Sequence, residues 1–208
     1  MNLLDITLRP VAVDEEPRFK ALLDAHHYLG AVAKIGHTLW YVATWQGPWL
    51  ALLVIGAAAW KGAARDRWIG WDQRYHYDRL HLMANNSRFL ILPEGRRPNL
   101  ASRVLGLCER RVAADWQARF GYPLWLLETF VDPRFFRGTC YRAANWLEVG
   151  APCVRIDVAS HWEHLCEPRG CHLRLREAAV GKGQREGARR ATGHADPFPP
   201  RRAPRPRY

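Results

Sequence analysis

Cysteine is scarce and irregular: five residues in 208, an odd number without regular spacing. That fits reduced thiols better than a disulfide framework. Long hydrophobic runs are absent. The longest, Trp49 to Trp60, spans 12 residues and contains Gly56, which is too short to cross a bilayer. The opening Met1-Asn2-Leu3-Leu4-Asp5 lacks the basic start and apolar stretch of a signal peptide, so the expected location is the cytoplasm, with no membrane partner. No internal repeat is visible. Charged residues make up 25% and hydrophobic ones 48%, a globular mixture that excludes wholesale disorder and collagen-like repetition.

Tryptophan and positive charge are abundant. Ten tryptophans supply large apolar area for a core or a binding face. Lysine and arginine total 31 against 20 acidic residues, a formal net charge of +11. The excess is uneven: residues 1–150 carry 19 basic and 14 acidic residues, and residues 151–208 carry 12 and 6. Seven of the 14 prolines also lie after residue 150, and the end, Pro197-Phe198-Pro199-Pro200-Arg201-Arg202-Ala203-Pro204-Arg205-Pro206-Arg207-Tyr208, suits neither helix interior nor ladder. Residues 1–150 are expected to form the folded unit and 151–208 a basic, Pro/Arg-rich tail that is irregular or disordered.

Patterning within the folded unit predicts a β-α-β-β-(α)-β-α-β-α order. Leu4 to Arg9 alternates as a strand. Asp14 is placed to cap a helix carrying Phe19, Leu22, Leu23 and His26 at helical spacing, closed by Gly30. Thr38 to Trp45 and Trp49 to Ala58 read as a hairpin around Gln46-Gly47-Pro48, the second strand apolar enough for burial on both faces. Residues 65–82 read as helix, Asn85-Asn86-Ser87 as a turn and Arg88 to Leu92 as a strand. Asn99 is placed to cap a long helix with the stripe Leu100, Val104, Leu107, Cys108, Val112 and Trp116, ended by Gly121. Pro123 to Val131 reads as a buried strand, and Asp132-Pro133 opens a last helical region over about Phe135 to Leu147. Strand, long helix and strand in succession imply a parallel crossover, so the fold class is α/β or α+β, a mixed central sheet flanked by helices.

This order resembles the N-acetyltransferase-like (GNAT) fold, in which the loop after the fourth strand cradles the pyrophosphate of acetyl-CoA on backbone N–H groups. Here that loop reads Glu94-Gly95-Arg96-Arg97-Pro98-Asn99-Leu100-Ala101-Ser102. It has the Arg96 of the family's R/Q-x-x-G-x-G/A pattern, but Leu100 and the small Ala101 replace the glycine pair and Pro98 removes a donor, which argues against acetyl-CoA. A second resemblance is more specific. The blocks Ala57-Ala58-Ala59-Trp60-Lys61, Arg65-Asp66-Arg67-Trp68-Ile69-Gly70-Trp71, Asn85-Asn86-Ser87-Arg88-Phe89-Leu90-Ile91-Leu92, Asn99-Leu100-Ala101-Ser102, Leu127-Glu128-Thr129-Phe130-Val131-Asp132 and Phe136-Arg137-Gly138-Thr139-Cys140-Tyr141-Arg142-Ala143-Ala144-Asn145-Trp146 are similar, in order, to the DruA family of Druantia anti-phage systems. The family's domain also occurs in proteins labelled as transposases, sometimes fused to a DDE-type nuclease. The resemblance covers roughly residues 1–150 and marks Trp60, Asp66, Trp68, Trp71, Asn86, Asp132 and Asn145 as motif positions. The family continues after Gly150 with a Thr- and Gly-Arg-Gly-containing segment. This chain instead reads Ala151-Pro152-Cys153, so residues beyond about 150 are expected to be an out-of-frame extension, which the other reading frames past codon 150 would test.

Several side chains are candidates for chemistry. Lys61, Arg65 and Arg67 lie among Trp60, Trp68 and Trp71, and aromatics beside guanidinium groups can stack bases and neutralise phosphates. The competing reading is an Asp66–arginine pair that organises a loop under core tryptophans. Arg96, Arg97 and Arg103 surround the helix start at Asn99, a potential anion site, or else a solvated basic loop. By the acetyltransferase analogy Glu128 would be a general base and Tyr141 a general acid. The alternative is structural, with Asp132 capping the next helix. The carboxylates Asp66, Asp72, Asp78, Asp115, Glu128 and Asp132 have no DDE-like spacing, so an autonomous nuclease is not expected. His26-His27 would complement a helix end. His161, His164, Cys166, Cys171 and His172 match no familiar zinc spacing, so no metal is expected. The expected function is anti-phage defence through recognition of DNA, RNA or a nucleotide-type anion, with other defence proteins as possible partners and no cofactor. The alternatives are a transposase-associated accessory domain and a GNAT-type acyltransferase, which alone would use acetyl-CoA.

Overall fold

The computed structural model describes residues 2–71 and 77–150 and the backbone of residues 172–177. The described strands form one mixed sheet of seven. They are β1 (Thr7–Pro10), β2 (Leu39–Thr44), β3 (Trp49–Ala57), β4 (Met83–Ile91), β5 (Leu126–Val131), β6 (Leu147–Gly150) and β7 (His172–Glu177), in the order β1-β2-β3-β4-β5-β7-β6. The β1-to-β4 run is an antiparallel meander. β4 and β5 are parallel, joined through the helix α3 (Leu100–Phe120), and β7 pairs antiparallel with both β5 and β6.

Apolar runs on β2 and β3 leave no polar face, so both sides of the sheet are covered. On one side α3 lays Leu100, Val104, Leu105, Cys108, Val112 and Trp116 against Tyr41, Leu53, Ile55 and Leu127. At about 1.5–3 kcal/mol for each large apolar side chain buried, this stripe is the main anchor of the helix. On the other side α1 (Glu16–His26) packs Phe19 and Leu23 on Trp40, Val42, Leu52 and Val54. The short helix α2 (Ala63–Ile69) puts Ala64 and Ile69 on Met83 and Leu126. Arg111 of α3 ties the layers together by donating to Asp115, which also accepts the buried Tyr41 hydroxyl, and to the Leu8 carbonyl.

Several local expectations are corrected. Asn85-Asn86-Ser87 is not a turn but the interior of β4. The register shifts between Val54 and Ile55 where they face Arg88 and Asn86, and the Asn86 amide bonds the Arg88 and Val54 carbonyls, so a turn-prone side chain satisfies backbone groups at a bulge. Leu3–Asp5 form a 3-10 turn before β1. Asp14 sits in a 3-10 turn, and Glu15, not Asp14, accepts the Ala12 N–H while pairing with Arg9. The helix expected over 65–82 is α2, after which residues 72–76 lie outside the described residues and Leu80–Leu82 form a 3-10 turn. Asn99 precedes α3 in the left-handed conformation, φ 62°, without a side-chain cap bond. The last helix shrinks to α4 (Thr139–Ala143), ended by Asn145 at φ 62° and followed by β6. Of the expected irregular tail, His172–Glu177 is a strand, as its His-Leu-Arg-Leu-Arg-Glu alternation permits; the remainder of 151–208, including Cys153, His161, His164, Cys166 and Cys171, lies outside the described residues.

Candidate functional site

β4 and β5 pair only over Met83–Asn85 and Leu126–Glu128. Beyond that register they part: β4 continues along β3 and β5 along β7. A cavity of about 460 Å³ opens in the wedge. Asn86, Phe89 and Ile91 form one wall, Thr129, Phe130 and Val131 the other. The end of α1 contributes His27 and Tyr28, the loop after β4 contributes Arg96, and the α4 region adds Phe136, Arg137, Cys140 and Tyr141.

The mouth is aromatic and cationic. Tyr28 (46% exposed), Phe135 (59%) and Phe136 (51%) stand out from the surface, with the Tyr28 ring 5.2 and 5.5 Å from the two phenylalanine rings. Asp132 builds the turn that presents them. Its carbonyl accepts the Phe135 and Phe136 N–H groups at 3.2 and 2.9 Å. Its carboxylate accepts the Arg134 N–H at 2.9 Å and the Arg134 guanidinium at 2.7 Å, which holds the carboxyl below its ordinary range. Arg88 fixes the opposite rim by donating to the Gly30 carbonyl at 3.0 Å and the Ser87 carbonyl at 2.8 Å. Burial, reinforced by Arg88, lowers His27 to about 4. The neutral ring accepts the Leu29 N–H on Nδ1 at 3.2 Å.

The floor is a small polar network. With its Nδ2 donating to the carbonyls of Arg88 (2.8 Å) and Val54 (3.3 Å), Asn86 accepts the Tyr141 hydroxyl on Oδ1 at 3.1 Å; the opposite amide orientation would aim oxygen at two carbonyls. Thr129 Oγ1 donates to the Asn86 carbonyl at 3.0 Å and lies 3.4 Å from the Tyr141 oxygen. Burial pushes the Tyr141 phenol well above its ordinary value.

Glu128 and Tyr141 do not meet. Thr129 faces Tyr141, so its neighbour Glu128 points to the other side of the sheet. There it is fully buried and paired at 3.0 Å with the equally buried Arg65. The Ala59 N–H donates to Glu128 at 2.5 Å, while Arg65 also donates to the Ala59 carbonyl and to Asp66, both at 2.8 Å. Burial raises the Glu128 carboxyl above its ordinary range. The acid–base pairing of Glu128 with Tyr141 is therefore corrected, and so is Arg65 as a phosphate contact: it organises the loop, as the competing reading had it. Lys61 and Arg67 are exposed near Trp60 (62% exposed) and Trp68 (38%). Trp71 packs under α2 with Ile69 and Met83, but Trp68, expected in the core, does not.

The three arginines expected around the start of α3 do not converge. Arg96 lines the cavity and Arg97 is exposed. Arg103 turns to the Leu3 and Leu4 carbonyls ahead of β1, at 3.0 and 3.3 Å. Three loop amides are spent within the loop, Gly95 donating to Leu92, Arg96 to Pro93 and Leu100 to Arg97, and Pro98 has none. Asn99 contributes its carbonyl, which accepts Arg103 N and Ser102 Oγ. Among the described residues no group of three or more His, Cys, Asp or Glu is placed to hold a metal, and no helix is long and apolar enough to cross a membrane. Tyr28, Thr129, Phe135, Phe136 and Arg137 were missed as site residues. The available signal was a Phe-Phe-Arg-Gly run too polar at its end to be core.

A family model described as Druantia protein DruA matches residues 3–156. No curated protein matches. Among solved structures, the chain is similar to the spermidine/spermine N-acetyltransferase SpeG from Vibrio cholerae (10% identity, TM-score 0.52, covering 85% of this chain and 95% of that one). It is also similar to the ribosomal-protein-S18-alanine N-acetyltransferase from Escherichia coli (11%, TM-score 0.50, 85% and 96%). A third is the aminoglycoside acetyltransferase AAC(6')-Ib in complex with coenzyme A (10%, TM-score 0.51, 91% and 99%). At these identities the likeness is one of fold: the chain has a GNAT-like mixed sheet flanked by helices.

Proposed function

The chain belongs to the Druantia protein DruA family, and from that premise we propose that it acts in anti-phage defence by recognising nucleic acid or a nucleotide-type anion in the β4–β5 wedge. The observation that carries this reading is the meeting, at one cavity mouth, of exposed aromatic rings (Tyr28, Phe136) with two arginines (Arg96, Arg137). Rings give a base a stacking surface and guanidinium groups neutralise its phosphate. The exposed Trp60, Lys61, Arg67 and Trp68 give a longer strand a second surface.

The test is fluorescence anisotropy on single- and double-stranded DNA across a salt series, comparing the full chain with an Arg96→Ala/Arg137→Ala variant. The full chain is required because β7 lies inside the sheet. Its basic tail is the same in both proteins, so the difference reports the wedge. Each lost phosphate contact lowers the single-strand salt slope by about 0.7, so the pair lowers it by about 1.4. Unchanged affinity and slope reject the reading.

The GNAT-like fold favours a second reading, an acyltransferase using acetyl-CoA. Against it stand Pro98, which offers no N–H, the Gly95, Arg96 and Leu100 amides already bonded within the loop, and the separation of Glu128 from Tyr141. Calorimetry decides: coenzyme A is expected to bind no more tightly than AMP, and a tenfold preference for coenzyme A would favour acyl transfer.

A further inference from the structure

The floor of the wedge is chemically one-sided. Tyr141 gives its hydroxyl hydrogen to Asn86 Oδ1, and Thr129 gives its hydroxyl hydrogen to the Asn86 carbonyl. Both amide hydrogens of Asn86 go to the carbonyls of Arg88 and Val54. Every side-chain polar hydrogen of this trio is thus committed within the protein, while lone pairs remain on the Tyr141 and Thr129 oxygens. These two oxygens lie 3.4 Å apart, and both residues line the cavity. A ligand group that reaches them must be a donor; a carbonyl there would face oxygen with no hydrogen between and lose its hydration without replacement.

The mouth fixes what carries that donor. Tyr28 and Phe136 offer ring faces, Arg96 and Arg137 offer positive charge, and a cavity of about 460 Å³ is of small-molecule size. It holds one unstacked base and not a duplex, so a polymer would enter only by an end, a single-stranded stretch or an extruded nucleotide. Resting on the nucleotide reading above, we propose that the wedge selects a single nucleotide whose base bears an exocyclic amino group, directing that amino group onto Tyr141 and Thr129 with the ring stacked at Tyr28 and Phe136 and the phosphate at Arg96 and Arg137.

Isothermal titration of the full chain with matched pairs tests it. AMP is compared with purine riboside 5′-monophosphate, which lacks only the amino group, and CMP with UMP, which carries a carbonyl there. One neutral hydrogen bond corresponds to roughly a two- to tenfold preference, so AMP and CMP are expected to bind tighter by at least that factor. Thr129→Val and Tyr141→Phe, each checked for a cooperative melt, are expected to bring both ratios towards one. Two variants are used so that misfolding of one leaves the other decisive. Equal affinities within each pair in the wild type overturn amino-group selection while leaving nucleotide binding standing. Absence of binding by every nucleotide overturns both. Ratios that persist in both variants also overturn the assignment of the floor. Single-stranded adenine and thymine octamers distinguish the source: an adenine octamer tenfold tighter than AMP identifies a strand, equal affinity identifies the free nucleotide, and either supports the selection provided adenine exceeds thymine.

Discussion

Replacing Arg65 with methionine removes the counter-charge of a carboxylate that has no access to water. Both side chains of the Arg65–Glu128 pair are fully buried, 3.0 Å apart, and the main remaining partner of Glu128 is the Ala59 N–H. Breaking such a pair from one side costs about 3–5 kcal/mol. For a chain of this size each kcal/mol moves the melting temperature by roughly 2–4 °C, so a fall on the order of 6–20 °C is expected at pH 7.5. The pH dependence has a definite sign. Burial raises the Glu128 carboxyl above its ordinary value, so the folded state holds its proton more tightly than the unfolded state does. Stability from this group is greatest at acid pH and falls as pH rises past the ordinary carboxylate range. Without Arg65 the carboxyl is raised further, so the deficit of Arg65→Met relative to wild type shrinks at pH 5. Arg65→Met/Glu128→Leu, which buries no unpaired charge, is more stable than the single variant but stays below wild type by about 1–3 kcal/mol, because the Ala59 N–H and carbonyl lose these partners. Urea and thermal melts followed by circular dichroism at both pH values read all three proteins. A single variant within 1 kcal/mol of wild type at pH 7.5, or a double variant no more stable than the single, refutes the argument that Arg65 is a structural cation.

Gly95→Ala places a Cβ 2.6 Å from the Leu50 carbonyl oxygen, a backbone atom already accepting the Leu92 N–H. The loop must shift, at about 1–3 kcal/mol, and nucleotide affinity falls with it because Arg96 is displaced; calorimetric melting and nucleotide titration check both. His27 is held neutral to about pH 4, so the unfolded state takes up a proton first, and stability falls as pH drops from about 6.5 to 4, by no more than about 3 kcal/mol. His27→Gln is expected to flatten that part of the pH–stability curve, and an unchanged slope would show that His27 is not its source.

The frame of the fold was legible where periodicity and burial agree. The stripe from Leu100 to Trp116 predicts α3, the apolar runs from Leu39 and Trp49 predict the hairpin, and Pro123 to Val131 predicts β5. Residues whose local chemistry is overridden by their surroundings were not legible. Asn85-Asn86-Ser87 carries a turn signature, yet the centre of a sheet absorbs it because the Asn86 amide replaces ladder bonds at a bulge. Arg65, flanked by charge and tryptophan, resembles a surface cation, but a carboxylate 63 residues away draws it inside. The cavity was the least visible feature. Its parts come from the end of α1, the two parted strands and the turn built by Asp132, and their meeting depends on where the β4–β5 register ends rather than on any local pattern. Arg96, Arg97 and Arg103 were grouped on sequence proximity; Arg96 lines the cavity, whereas the Arg103 side chain reaches the segment before β1.

The central claim is that nucleotides enter the β4–β5 wedge. The most direct measurement is photocross-linking of the full chain to a single-stranded oligonucleotide carrying 5-iodocytosine, followed by mass-spectrometric mapping of the attached peptides. Cross-links at Tyr28, Phe135 or Phe136 that are lost on adding excess AMP are the predicted result. Cross-links confined to Trp60, Trp68 and Tyr77, or to residues 178–208, would contradict it.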